Sequence, residues 1–400
     1  MRICYLTPLD RRGPWATPEY GSGSWPLALG AEFFPYGAED LAPLEACGLF
    51  LLHTSAACYE AALRVLDRFP HTPAVLLLTC DAMFIDPQGF FADWTTPLKA
   101  LLDRARLAIS ETQEVGFFQA MTPTPVVHLP LPVPVAAIRQ AGTADLGFPI
   151  ADCRFPIGEP RLARFSSQSA IGNRKSEIGN APLLPLPRGE GWGEGQIGNR
   201  QSEIGNPPLL LLGSPFRPRK NGLATALAFR QLRKGDRYVL PGQNVPVPFS
   251  PFSPEAIVFA EEPEAEREAY RLWGVQGVEV RPACSQPDYW GEAARCDLAL
   301  HLDYRRTIGR FSAECAALGI PCISTAGATM QRALFPELVV EPWDVDGAAA
   351  LAARLLRDPI LRDRVVASAA RAVEAYGLAP MARRFHEVLE RFTGISLRDP

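Results

Sequence analysis

Short apolar runs alternate with stretches of helical spacing along most of this chain. In the first third, Arg2–Thr7, Gly48–His53, Ala74–Thr79, Leu107–Ser110 and Pro125–Leu131 read as strands. The run AVLLLT at Ala74–Thr79 is apolar without alternation, as expected of a strand covered on both faces. Ala56–Phe69 has helical spacing, with Ala61, Leu63, Val65 and Leu66 available for a buried face, and Pro97–Ala105 and Thr112–Met121 read as further helices. The alternation resumes with strands at Leu209–Leu212, Arg237–Leu240, Ala256–Ala260, Val278–Arg281, Leu298–His301, Cys322–Ser324 and Leu338–Glu341. Helices are expected at Gly222–Leu232, Pro263–Trp273, Asp288–Arg295 and after Gly309, and three more close the chain at Asp346–Leu356, Pro359–Tyr376 and Pro380–Phe392. Such alternation predicts parallel sheets with helices on both faces, and 400 residues suffice for two doubly wound α/β domains.

Two stretches break the pattern. Asp10–Leu44 is rich in Gly, Pro and aromatic residues and lacks a clear helix where a first crossover helix belongs. In the middle, IGNRKSEIGN at Ile171–Asn180 recurs as IGNRQSEIGN at Ile197–Asn206, with a Pro- and Gly-rich spacer between the copies. Two polar copies bury too little apolar surface to build a core, so Phe165–Asn206 is expected to be a disordered surface insertion. The expected division is 1–137, an N-terminal Rossmann-like domain; 138–207, a linker carrying the insertion; 208–379, a C-terminal Rossmann-like domain; and 380–400, a C-terminal helix and tail.

Composition narrows the classes of function. The net charge of −4 gives no basic footprint for nucleic acid. No apolar run reaches the roughly 18 residues of a membrane span, and the N-terminus reads as a strand rather than a leader. These features point to a cytoplasmic protein. The nine cysteines form no CxxC pair and several sit in apolar runs, so reduced buried thiols are expected. The five histidines are dispersed. The one Asp-x-Asp, Asp344-Val345-Asp346, falls at a helix start, where capping accounts for it better than metal binding. No metal or cofactor is implied.

The most informative stretch is Arg306–Thr325, RTIGRFSAECAALGIPCIST. Gly309 permits a close backbone approach, and a helix starting there directs free N–H groups toward an anion. Glu314 lies about one and a half turns into that helix. Gly319 ends the helix and Pro321 opens the next strand. An acid near a phosphate-favouring helix start, in an α/β repeat, points to a nucleotide-linked ligand.

From about Leu209 to Phe392 the chain resembles the GT-B glycosyltransferases, specifically the large retaining group called family 4. Gly213-Ser-Pro-Phe-Arg217-Pro-Arg219-Lys220-Asn221-Gly222 resembles that family's Gly-Arg-x(3–5)-Lys-Gly loop. Gly309, Glu314, Ala317, Gly319, Pro321 and Thr325 match its E-G-F-G-L-x-x-x-E-A-x-A-x-G-x-P-V-V-x-T signature, and Asp358-Pro359-Ile360-Leu361-Arg362 resembles its DP-x-LR helix start. In the first half, His53 resembles a strand-end histidine of the family, and Cys80-Asp81 stands where the family has a histidine followed by Asp or Gly.

The resemblance implies two Rossmann-like domains facing across a cleft. It also implies transfer of a sugar from a nucleoside diphosphate sugar to an acceptor hydroxyl, with retention, the acceptor being a glycan, lipid or small molecule. Arg217, Arg219 and Lys220 would face the diphosphate, Glu314 the ribose hydroxyls, and the backbone at Ile308, Gly309 and Arg310 the phosphates or sugar. His53 and Asp81 would serve the acceptor side. One departure stands out. Arg306 occupies the position of the family's earlier glutamate, and arginine accepts no hydrogen bonds. A GT-B scaffold that binds nucleotide or glycan with weakened catalysis, or supports a partner enzyme, is the alternative. An epimerase or phosphorylase on the same architecture fits less well.

Overall fold

The computed structural model describes residues 1–7, 24–36, 38, 40–54, 58–78, 91–143, 207–213, 221–234 and 254–397. The expected insertion, the expected strand at Arg237–Leu240, and Asp81, Arg217, Arg219 and Lys220 lie outside the described residues.

The first half builds a parallel sheet of six strands in the order β2-β1-β3-β4-β5-β6. Its elements are β1 (Ile3–Thr7), α1 (Ser24–Leu29), β2 (Glu32–Pro35), β3 (Leu49–Thr54), α2 (Tyr59–Arg68), β4 (Ala74–Leu78), α3 (Phe91–Arg104), β5 (Leu107–Ser110), α4 (Val115–Gln119), β6 (Val126–His128) and α5 (Val135–Thr143). Side chains alternate across the strands. Tyr5, Leu51, Leu77 and Ile109 join one apolar cluster, while Phe50, Leu52, Leu76 and Ala108 join another on the opposite face. That two-sided burial is why these strands read as continuous apolar runs.

The second half repeats the plan, with strand order β12-β11-β10-β7-β8-β9. Its elements are β7 (Leu209–Leu212), α6 (Gly222–Lys234), β8 (Glu255–Ala260), α7 (Pro263–Leu272), β9 (Val278–Pro282), α8 (Gln286–Ala293), β10 (Leu298–His301), α9 (Arg310–Leu318), β11 (Cys322–Thr325), α10 (Thr329–Leu334), β12 (Val339–Val340), α11 (Val345–Arg357), α12 (Pro359–Ala372) and α13 (Leu378–Thr393).

Several expectations shift, each for a local reason. The segment before Leu44 contains α1 and the edge strand β2, both short and interrupted or ended by proline. Helix α3 starts six residues before Pro97, which sits inside it without an N–H to donate. Helix α4 starts only at Val115, because the Ser110 hydroxyl donates to Thr112 O at 2.9 Å and holds Thr112 in a turn. Helix α8 starts at Gln286, two residues early, where Ser285 caps it by accepting from the Asp288 N–H. The expectation of reduced thiols throughout is corrected at Cys4 and Cys47, which are bonded to each other. Cys4 pairs with Phe50 across the β1–β3 register, which brings the turn before β3 alongside it.

Among the described residues, the chain crosses between the two halves at α5 and again at α13. Helix α5 contains the expected boundary at 137 and packs on α8 and α9 of the second half. Arg139 of α5 donates to Ala317 O and Ala370 O and pairs with Glu374 at 2.5 Å. Helix α13 returns to the first half, where the rings of Phe385 and Trp25 lie 5.4 Å apart. Val133 N–H donates to Tyr376 O at 2.7 Å between the two crossings.

Candidate active site

In the second sheet the chain leaves β7 on one side and returns on its other side as β10. Such a reversal opens a crevice beyond the carboxyl ends of the two strands, where open parallel sheets bind ligands. Gly213 ends β7, its N–H donating to Leu300 O at 2.9 Å. A Cβ on Gly213 would lie 2.6 Å from the Phe311 ring and 2.8 Å from the His301 Cβ. Glycine therefore lets the end of β7 press against the first turn of α9. Asn221 has φ 54° and donates from Nδ2 to Leu302 O at 2.9 Å and Pro342 O at 2.7 Å. The residues flanking Arg217, Arg219 and Lys220 are thus both anchored at the crevice.

The loop from β10 to α9 is pinned from within. Asp303, 1% exposed, accepts from Arg305 Nε at 2.9 Å, from Nη2 at 2.6 Å and from the Arg305 backbone N–H at 3.0 Å. The Thr325 hydroxyl donates to Asp303 O. Beyond this turn, Thr307 N–H donates to Gly327 O at 3.0 Å, and Thr307 O accepts from Thr329 N–H at 2.8 Å. Ile308 O accepts from Met330 N–H at 3.2 Å. Gly309 has φ 82°, and a Cβ there would stand 2.8 Å from Met330 N. Its glycine is therefore required by the neighbouring backbone as well as by its own left-handed conformation. Helix α9 starts at once, with no side-chain cap, so its first-turn N–H groups form an anion-favouring end.

Arg310 and Glu314 lie one turn apart on α9 and pair, Nε to Oε1, at 2.9 Å. Gln286, at the start of α8, donates from Nε2 to the same oxygen at 3.2 Å. All three are largely buried, so these charge-assisted bonds fix the Glu314 carboxylate firmly. Ile308, Gly309, Arg310 and Glu314 thus form one connected group.

The first sheet also reverses direction, between β1 and β3. His53 is half-buried at the carboxyl side of β3, its Nδ1 3.3 Å from Tyr5 Oη, and its carbonyl accepts from Tyr36 Oη at 3.0 Å. From the end of β5 onward, Ser110, Glu111, Thr112 and Glu114 are all buried. Trp25 Nε1 donates to Glu111 Oε1 at 2.9 Å, while Glu111 Oε2 is buried without a hydrogen-bond partner. Burial pushes the Glu111 carboxyl up to about 8, against the opposing pull of the Trp25 bond.

Arg306 is exposed and points its Nη1 at Glu114 Oε1, 3.9 Å away. The first half of the chain thus supplies it with a counter-charge. Arg305, Arg306 and Arg310 each face a carboxylate, on Asp303, Glu114 and Glu314 respectively. Sequence reasoning missed Asp303, Glu114 and Gln286. Polar residues at a helix start or in a turn, such as Asp303, resemble any solvated position, and the distant pairings Glu114–Arg306 and Gln286–Glu314 leave no periodic signal. Among the described residues, no three or more His, Cys, Asp or Glu side chains gather as metal ligands, and no helix is long and apolar enough to cross a membrane.

The sequence matches no protein-family model and no curated protein. The fold, by contrast, is shared with solved structures. HepE of Anabaena, in complex with UDP, aligns with a TM-score of 0.59 at 14% identity, over 98% of this chain and 100% of that one; it has also been solved with UDP and glucose. Sucrose-phosphate synthase from Thermosynechococcus elongatus aligns with a TM-score of 0.55 at 13% identity, over 87% of this chain and 74% of that one. A trehalose-6-phosphate synthase used to study glycosyl transfer with retention aligns with a TM-score of 0.57 at 11% identity, over 86% of this chain and 73% of that one. These are GT-B structures, and this chain has the GT-B fold.

Proposed function

We propose that this protein is a glycosyltransferase that moves a sugar from a nucleoside diphosphate sugar to an acceptor hydroxyl, with retention at the anomeric carbon. The observation that carries this reading is the buried Glu314 carboxylate, held through one oxygen beside an uncapped helix start at a strand-order reversal. In the reaction the bond from the anomeric carbon to the diphosphate oxygen breaks, and a bond from that carbon to the acceptor oxygen forms on the same face. The diphosphate departs with the electron pair of the broken bond, and the hydroxyl proton is taken up by that departing diphosphate or by water. Little covalent help from protein is needed; charge on the leaving group is what must be stabilised. Arg217, Arg219 and Lys220, with the first-turn amides of α9 around Ile308–Arg310, are assigned that task. Glu314 is assigned the ribose hydroxyls, and His53 and Asp81 the acceptor side.

HepE's complexes with UDP and glucose support a uridine diphosphate hexose as the first donor to try, and the trehalose-6-phosphate synthase supports retention. A thermal-shift panel of sugar nucleotides tests the reading, because a ligand of the folded state raises the midpoint. At least one nucleoside diphosphate sugar is expected to raise it, and Glu314→Ala to abolish the rise. No shift with any donor would overturn the assignment. A second reading, a nucleotide-binding scaffold with weakened catalysis, draws on Arg306 facing Glu114 instead of an acid lining the site. Binding without donor consumption would favour it.

A further inference from the structure

Gln286 is a polar side chain whose burial packing alone does not explain. It is 1% exposed, and its two amide ends meet opposite fates. Nε2 donates to Glu314 Oε1 at 3.2 Å, while Oε1 of the same amide is buried with no hydrogen-bond partner. The orientation is set by charge, since turning the amide over would aim its oxygen at a carboxylate. A buried acceptor left unmatched is destabilising, and an apolar side chain of the same shape would avoid that cost. The one bond Gln286 makes goes to Glu314. Arg310 Nε reaches the same Glu314 oxygen from the preceding turn of α9. Both donors fall on Oε1 and neither on Oε2, so the carboxylate is gripped at one end and presents the other.

We propose that Gln286 is a positioning residue: with Arg310 it clamps Glu314 through Oε1 so that Oε2 accepts from the vicinal hydroxyls of the ligand's ribose, making the site selective for ribonucleotides. This rests on the nucleoside diphosphate reading above. One Nε bond from Arg310 leaves the Glu314 carboxylate able to turn about that contact, and the second donor from a different helix restricts the turn. The sugar edge of the nucleotide then lies between the start of α8 and the second turn of α9.

The test is calorimetric binding of UDP and ADP, each against its 2′,3′-dideoxy form, to the full chain and to Gln286→Met and Gln286→Glu. The wild-type chain is expected to prefer the ribose form of the nucleotide it binds. In Gln286→Met that preference falls roughly tenfold, the loss of one hydrogen bond to a charged group. Affinity for the dideoxy form changes by less than about twofold, and the thermal midpoint stays level or rises as the unmatched acceptor disappears. Gln286→Glu, nearly identical in shape, replaces the amide donor with a second carboxyl against Glu314 and is expected to lose the preference. It gives the same answer should the methionine variant fold poorly. An unchanged ribose preference in a folded variant, or a preference lost only together with stability, would overturn the role of Gln286 while leaving the nucleotide reading intact. Failure of the wild-type chain to bind either nucleotide in both forms would overturn the two together.

Discussion

At neutral pH Glu111 is a carboxylic acid rather than a carboxylate, because burial raises it to about 8 and the Trp25 indole supplies only one hydrogen bond. An unperturbed glutamate titrates at 4.5. The folded chain therefore holds the proton over the window between these values in which the unfolded chain has lost it. The stability tied to that proton is fully present below about 4.5 and is lost as pH rises through about 8. Glu111→Gln removes the dependence. Urea unfolding at several pH values is expected to show the variant gaining on the wild type by up to about 1.4 kcal/mol per pH unit across the window. A constant difference would contradict the burial argument. Gly309 is the second residue with a sharp expectation. Its φ of 82° and the 2.8 Å gap to Met330 N mean that Gly309→Ala brings both left-handed strain and a backbone clash. A loss of about 2–4 kcal/mol in chemical denaturation is expected, and a neutral result would contradict the close packing of 309 on 328–330.

Among the elements, the turn between β10 and α9 does the most to shape the site. Asp303 organises it by accepting from three N–H groups of Arg305 while its own carbonyl takes the Thr325 hydroxyl. Removing one partner of such a buried pair leaves the other charge uncompensated. Asp303→Ala is expected to cost about 3–5 kcal/mol, while Asp303→Asn, whose one amide oxygen can keep the bonds at Oδ1 but not the one from Arg305 Nη2, costs less; denaturation curves separate them. This scale also shows what was legible in advance. Strands Leu107–Ser110, Leu209–Leu212 and Leu298–His301 appear residue for residue, because fully buried parallel strands leave unbroken apolar runs. The edge strand β2 did not announce itself: it is four residues long, ends in proline and is exposed at Glu32 and Phe33. Helix α5 was hidden in a stretch read as linker, since its packing partners, α8 and α9, lie far along the chain. Around the start of α9, the closeness of Gly309 and Glu314 was legible from their spacing along one helix. Gln286 and Glu114 were not, because they reach the group only through tertiary contact.

Across the whole molecule, the two halves are tied by α5, by the return of α13, and by a charge pair across the site. Arg306 is exposed and 3.9 Å from Glu114, so the pair is worth about 1 kcal/mol or less. Its sign is still testable. Arg306→Glu sets two carboxylates against each other and is expected to lower stability by about 1 kcal/mol, with Glu114→Lys in the same chain restoring it. Additive effects in that double-mutant cycle would mean that the two side chains do not interact.

The account as a whole turns on sugar transfer, and the most direct measurement follows a donor by proton NMR. The purified chain is incubated with each member of a panel of α-linked nucleoside diphosphate hexoses, beside Glu314→Ala. The account predicts that one donor is consumed, that the first sugar product carries the α configuration, and that consumption falls at least about 100-fold in the variant, as expected when a group that holds the reacting donor is removed. An intact donor throughout the panel, or a β-configured first product, would contradict it.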